Sequence, residues 1–239
     1  MKKYPYKLYG AILGDLCGQP YEFPISAGPH SKVLLHNPDS HITDDTIMTL
    51  ASASSLMYGN SIESDYKYFG NKYDGDYYGK GFKEWLKKPI GTTNDSYGNG
   101  CLMRISPFMY VENSLPMIME SVLCSHKHQI SIESVLKLYY AYQGKINHEP
   151  APVNDKVFKV EADATIHWCL WFFDRISYST QERILGIVSN GGDTDTNASI
   201  VGELSNFWEK DITEADAEYV ESKLDDFLLT VLKDFNEKF

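Results

Sequence analysis

The chain has 239 residues, 43% of them hydrophobic, and a formal net charge of −11. That composition excludes a disordered chain and supports a single folded domain over residues 1–239 with a substantial core. It also excludes a binder of phosphate backbones, which needs clustered Lys and Arg, so no sequence-specific nucleic-acid partner is expected.

Taken in chain order, the first pattern is Tyr6 to Leu16. Leu8, Ile12 and Leu16 fall at helical spacing. Gly10, Gly14 and Gly18 share one face of that helix. Glycine costs helix stability, so three of them four apart predict another backbone packed close against that face. Pro20 stops the helix. A loop from Gln19 to Pro29 follows, carrying Glu22 between Tyr21 and Phe23. Aromatic neighbours give this carboxylate weight as an acid/base candidate.

Thr43-Asp44-Asp45-Thr46 opens the next helical run, Ile47, Met48, Leu50, Ala51 and Leu56. Residues 60–79 are polar and rich in Gly, Tyr and Asp, and predict a mobile surface segment preceded by a partial helix. Phe82 to Leu86 predicts a short helix ended by Pro89. Ser96-Tyr97-Gly98-Asn99-Gly100 is a turn whose glycines allow backbone to approach an anion. It lacks the Lys and the spacing of a nucleotide P-loop.

His126 and His128 stand between two helical patterns, the second running Ile132, Val135, Leu136, Tyr139 and Tyr142. With no third His or Cys nearby, the pair suits one substrate contact and one solvated ring rather than a transition metal. Residues 144–154 predict a loop. Thr165 to Phe173 predicts a buried helix. Ser179-x-x-Glu182 is a capping box that opens a helix ended by the Gly191-Gly192 pair. Ala217, Val220, Leu224, Phe227, Leu228, Val231 and Phe235 predict one amphipathic C-terminal helix. The total is about ten helices, with no convincing strand: an all-α chain.

Cys17, Cys101, Cys124 and Cys169 are far apart and read as reduced core thiols of a cytoplasmic protein. The longest apolar stretch, Trp168 to Phe173, is far too short to span a bilayer. Pro5 and Asp15 interrupt any signal-peptide core. No membrane partner is expected, and a monomer is favoured.

The stretch that organises the rest is Asn190-Gly191-Gly192-Asp193-Thr194-Asp195-Thr196-Asn197. It sets two carboxylates and two hydroxyls at the start of a helix. Alone, that is a well-capped helix. A calcium loop fits poorly, because counting from Asp193 the sixth position is Ala198 and the twelfth is Leu204. The upstream cluster at Thr43–Thr46 changes the reading. Two helix starts bearing Asp and Thr, facing each other, suit a pair of hard cations such as Mg²⁺.

Five motifs now stand in order. They are Gly14-Asp15-x-x-Gly18-x-x-x-Glu22, Thr43-Asp44-Asp45-Thr46, Ser96-Tyr97-Gly98-Asn99-Gly100-x-x-Met103-Arg104, Ser125-His126, and Gly191-Gly192-Asp193-Thr194-Asp195-Thr196. Together they resemble the ADP-ribosylglycohydrolase family, which includes the dinitrogenase reductase-activating glycohydrolases, and within it the short bacterial branch. The resemblance implies an orthogonal all-α bundle around a binuclear site in a central cleft, holding two Mg²⁺, with Mn²⁺ an alternative. Thr43, Asp44, Asp45, Asp193, Asp195 and Thr196 would hold the metals. Glu22, with Asp45, would be catalytic. Ser96, Tyr97, Gly98, Asn99, Gly100 and His126 would contact the ADP-ribose of an ADP-ribosylated protein or small molecule. The competing readings are a two-metal phosphohydrolase and a non-catalytic ADP-ribose binder.

Overall fold

The computed structural model describes residues 4–22, 29–146, 159–175 and 178–239. Eleven α-helices run through them: α1 Tyr9–Gly18, α2 Asp44–Tyr58, α3 Ile62–Lys72, α4 Lys80–Leu86, α5 Leu115–Leu123, α6 Gln129–Tyr142, α7 Ala162–Arg175, α8 Thr180–Ser189, α9 Thr194–Glu209, α10 Glu214–Ser222 and α11 Asp226–Lys238. Among the described residues there is no strand, only isolated bridges joining Asp95 to His126 and Gly98 to Glu161.

The packing is built on α1 and α9. A Cβ on Gly10 would stand 2.4 Å from the Gly202 carbonyl oxygen, one on Gly14 2.1 Å from that of Ala198, and one on Gly18 2.3 Å from that of Thr194. As α1 ascends in fours, its partners on α9 descend in fours, so the helices run antiparallel with their backbones in contact. Only glycine permits that approach. Both helices are buried almost throughout, with Leu13, Leu16, Ala198, Val201 and Leu204 in the core. Glu203 ties the two together. Its fully buried carboxylate accepts the amides of Leu8 and Ala11 at the start of α1, and the Tyr110 hydroxyl.

The structure departs from expectation in three places. The partial helix expected near residues 60–79 is α3, and the stretch is only in part surface, since it also supplies core aromatics. Ser61 caps α3, its hydroxyl oxygen accepting from the Ser64 amide, and Tyr66, Phe69 and Tyr78 are buried. The apolar face there consists of aromatics spaced three and nine apart among polar neighbours, which hides its periodicity. The C-terminal run is two helices. Asp225 caps α11 by accepting from Leu228 N, which breaks the run after Lys223. The buried helix expected over 165–173 extends over Ala162–Arg175. All four cysteines are free and buried, and among the described residues no helix is long and apolar enough to cross a membrane. Phe23 and residues 147–154 of the expected loop lie outside the described residues.

Candidate active site

The α1–α9 contact brings one helix end and two helix starts to a common point. Asp15 sits on the last turn of α1, and its side chain reaches the start of α2. There it accepts from the amides of Thr43 and Thr46 at 3.0 and 3.1 Å, and from their hydroxyls at 2.8 and 2.5 Å. Asp15 thus caps α2 from another helix, satisfying amides left open at a helix N-terminus. Thr43 caps the same helix through Asp45 N.

On the other side, the chain leaves α8 through Gly191 and Gly192, at φ +79° and +93°. That left-handed turn is the reason for a glycine pair. It sets Asp193 at the N-cap of α9, yet the Asp193 side chain makes no capping bond. Its carboxylate accepts instead from Asn99 Nδ2 at 2.5 Å. The well-capped-helix reading therefore fails at Asp193, because its charge is directed into the site.

Two carboxylate triads result. One oxygen each from Asp15, Asp45 and Asp195 lie within 4.8 Å of one another, and so do oxygens of Glu22, Asp193 and Asp195. Asp195 belongs to both. Asp45 Oδ2 accepts from Thr196 Oγ1 at 3.1 Å, while Asp45 Oδ1 is buried without a hydrogen-bond partner. Burial pushes the Asp15, Asp44, Asp45 and Asp195 carboxyls up; for Asp44 and Asp45 the Asp15 charge adds to it, and for Asp195 the Asp193 charge. Glu22 is raised by burial, then by Asp193. Among the described residues no Lys or Arg forms a salt bridge with any of these six carboxylates.

A cavity of about 260 Å³ opens over the cluster. It is lined by the carboxylates of Glu22, Asp44, Asp193 and Asp195 with Thr196 and Asn99, and also by Ser96, Gly98, Gly100, Arg104 and His126, with Tyr77 and Phe82 among the lining aromatics. Burial, then the Arg104 charge, hold the His126 imidazole well below its usual range.

Most of the residues named from sequence converge here, with distinctions. Asp44, Asp193, Asp195, Thr196 and Glu22 line the cavity; Thr43 and Asp45 do not, and are buried next to Asp15. Gly98, Asn99, Gly100, Ser96 and His126 line it too. Tyr97 does not. Its half-exposed ring packs against His128 on the surface, with centroids 5.5 Å apart. The loop amides are less available than its glycines suggest, since Gly98 N donates to Ser96 Oγ and Asn99 N to Val160 O. The side chains of Ser96 and His126 line the cavity as further hydrogen-bonding groups, with the buried Arg104 guanidinium behind them. Sequence reading gave no role to Asp15, Arg104 or Tyr77. The only signal for Asp15 was a carboxylate on an otherwise apolar helix.

Residues 7–156 match the family model described as ADP-ribosylglycohydrolase. No curated protein matches the chain. Among solved structures, a chain of an "ADP-ribosylglycohydrolase-related protein complex" is similar with a TM-score of 0.69 and 18% identity, covering 99% of both chains. That likeness shows the shared all-α fold.

Proposed function

Because the chain belongs to the ADP-ribosylglycohydrolase family, we propose that it hydrolyses the glycosidic bond between ADP-ribose and an acceptor, releasing ADP-ribose, with divalent cations as cofactor. The observation that carries this reading is one cavity lined both by carboxylates, which call for cations, and by Ser96, Arg104 and His126, which suit an anion. The combination suits one ligand bearing both a sugar diol and a diphosphate.

The residues fit bound cations. Asp45 Oδ1 is a buried oxygen without a partner, and six neighbouring carboxylates lack Lys or Arg counter-charges among the described residues. Thr43, Asp44, Asp45, Asp193, Asp195 and Thr196 would hold two Mg²⁺, with Mn²⁺ as the alternative, in a site that Asp15 and Glu22 complete. When bound, the cations supply positive charge that binds and orients the hydroxyls of the distal ribose.

The chain's own groups do the rest. Asp15 fixes the start of α2, so that Asp44 and Asp45 point at the site from a rigid helix end. Glu22, raised by its surroundings, takes a proton from the attacking water or gives one to the leaving group at C1″. Charge builds at that carbon in an oxocarbenium-like transition state. Tyr77 and Phe82 limit water along the cavity side. Ser96 and His126 hold the diphosphate, and with the ribose held as well the reacting bond is oriented.

The test is a panel of ADP-ribosylated arginine, serine and small-molecule acceptors, with Mg²⁺ and with EDTA, read by chromatography. Free ADP-ribose formed only with metal supports the proposal. AMP or inorganic phosphate in its place would assign a phosphohydrolase, and binding without turnover a non-catalytic binder.

A further inference from the structure

At the cavity three polar groups stand in a row. Arg104 is fully buried, and its Nη2 donates to the Ser121 carbonyl oxygen and to Ser125 Oγ, each at 2.7 Å. Ser125 Oγ lies 2.9 Å from His126 Nδ1. A guanidinium can only donate, so Ser125 Oγ accepts from Arg104 and keeps one proton to give. His126 Nδ1 is the acceptor beside it. Were the ring to donate from Nδ1 instead, the Ser125 proton would be left with the Cys124 sulfur, a weak acceptor, in a buried place.

The other side of the ring meets the cavity. His126 lines it, and a Cβ on Gly100 would stand 3.6 Å from His126 Nε2. Among the described residues Arg104 has no neutralising partner: its Nε and Nη1 are buried without an acceptor. The guanidinium lies over the Tyr66 ring at 4.3 Å, which fixes its place without cancelling its charge. Glu22, Asp44, Asp193 and Asp195 line the same cavity as His126, and two further charged groups lie near it on the chain. Asp95, bridged to His126 through backbone, and Lys127, next along the chain, both have exposed side chains.

We propose that Arg104 and Ser125 are positioning residues that lock His126 as a neutral imidazole with its proton on Nε2, so that the cavity always meets a hydrogen-bond donor there. The partner of one ring nitrogen sets which nitrogen carries the proton. An unrestrained ring would spend part of its time presenting a lone pair to anionic oxygens. Burial and the Arg104 charge act in the same direction, both holding the ring neutral. The ligand class, the oxygens of a diphosphate, rests on the function proposed above; the tautomer does not.

The experiment is imidazole ¹⁵N NMR on the free full-length chain between pH 5.5 and 8, with His126→Gln assigning the resonance among seven histidines. The wild type should show His126 as one tautomer, protonated on Nε2, across the range. Ser125→Ala should give mixed tautomers of a ring that stays neutral, and Ser125→Thr, which keeps the hydroxyl, should restore the wild-type spectrum. ADP-ribose affinity with Mg²⁺ should fall about threefold to tenfold in Ser125→Ala, the size of one hydrogen bond, with kcat less affected. A wild-type ring protonated on Nδ1, or a Ser125→Ala spectrum identical to wild type, overturns the proposal. A locked Nε2 tautomer in a protein that releases no ADP-ribose would instead overturn the function and leave the relay standing.

Discussion

Thr196 Oγ1 donates to Asp45 Oδ2 at 3.1 Å, joining two helix starts that lie 151 residues apart in sequence. Neither start holds enough carboxylates for two hard cations, which need six or more oxygen ligands each. The bond brings the two starts into direct contact, and the glycine-on-carbonyl contact of α1 with α9 explains why they meet.

Gly14→Ala should damage fold and site together. The added Cβ would stand 2.1 Å from the Ala198 carbonyl oxygen, backbone against helix, so the helices must separate. Overpacking of this kind costs about 1–3 kcal/mol or more, and Tm should fall by roughly 2 °C or more. Mg²⁺ affinity should fall with it, because Asp15 rides on α1 and Asp193 on the start of α9. A variant with unchanged Tm and Mg²⁺ affinity would show that the close contact does not set the site.

Glu22→Gln should separate chemistry from binding. Gln is nearly isosteric and cannot take up or release the proton. Loss of a general acid or base is typically about 10²–10⁴-fold in turnover. Calorimetry should show ADP-ribose still binding. Unchanged turnover would remove Glu22 from the mechanism.

Gly98→Val tests where the diphosphate lies. Gly98 has φ −67°, and an added Cβ would meet Ser96 Oγ at 3.4 Å and Val160 O at 3.8 Å, ordinary contacts. The protein itself does not require glycine there, so stability should change little. ADP-ribose should bind more weakly, while metal binding stays intact. Unimpaired ADP-ribose affinity would place the diphosphate elsewhere.

Much of this site is legible in the sequence, and the omissions have physical causes. Gly10, Gly14 and Gly18 announce a close backbone contact because glycine has no other reason to recur four apart in a helix. The Asp-Thr clusters are visible because hard-cation ligands concentrate at helix starts. Asp15 offers only a carboxylate on an otherwise apolar helix: its donors lie 28 and 31 residues downstream, so nothing local gives its role. Arg104 looks like a motif cation, and only the fold shows it buried against Tyr66 beside Ser125. Helix α3 is hidden because Tyr66 and Phe69 bury one narrow face among Asp, Lys and Asn. The break before Asp225 escapes notice because apolar spacing carries across it unchanged.

Glu203 predicts a pH dependence away from the site. Burial raises its carboxyl to about 7, although Leu8 N, Ala11 N and the Tyr110 hydroxyl donate to it. The native state therefore holds this proton more tightly than the unfolded chain does. Its contribution to stability is fully present below the unfolded value near 4.5 and is lost as pH rises through about 7. Each unit of displacement is worth about 1.4 kcal/mol, so the loss is on the order of 3–4 kcal/mol. Denaturant titrations at pH 5, 6, 7 and 8 should show a flatter dependence on pH in Glu203→Gln than in wild type. Equal dependence would show that the carboxylate stays ionised in the fold.

The most direct measurement is Mg²⁺ calorimetry on wild type, Asp45→Ala and Asp195→Ala, with helicity followed by circular dichroism. A single site shared by the two clusters predicts Mg²⁺ binding to wild type, its loss in each variant, and loss of ADP-ribose release with it, all at near-native helicity. Either variant binding Mg²⁺ and releasing ADP-ribose like wild type would contradict that shared site.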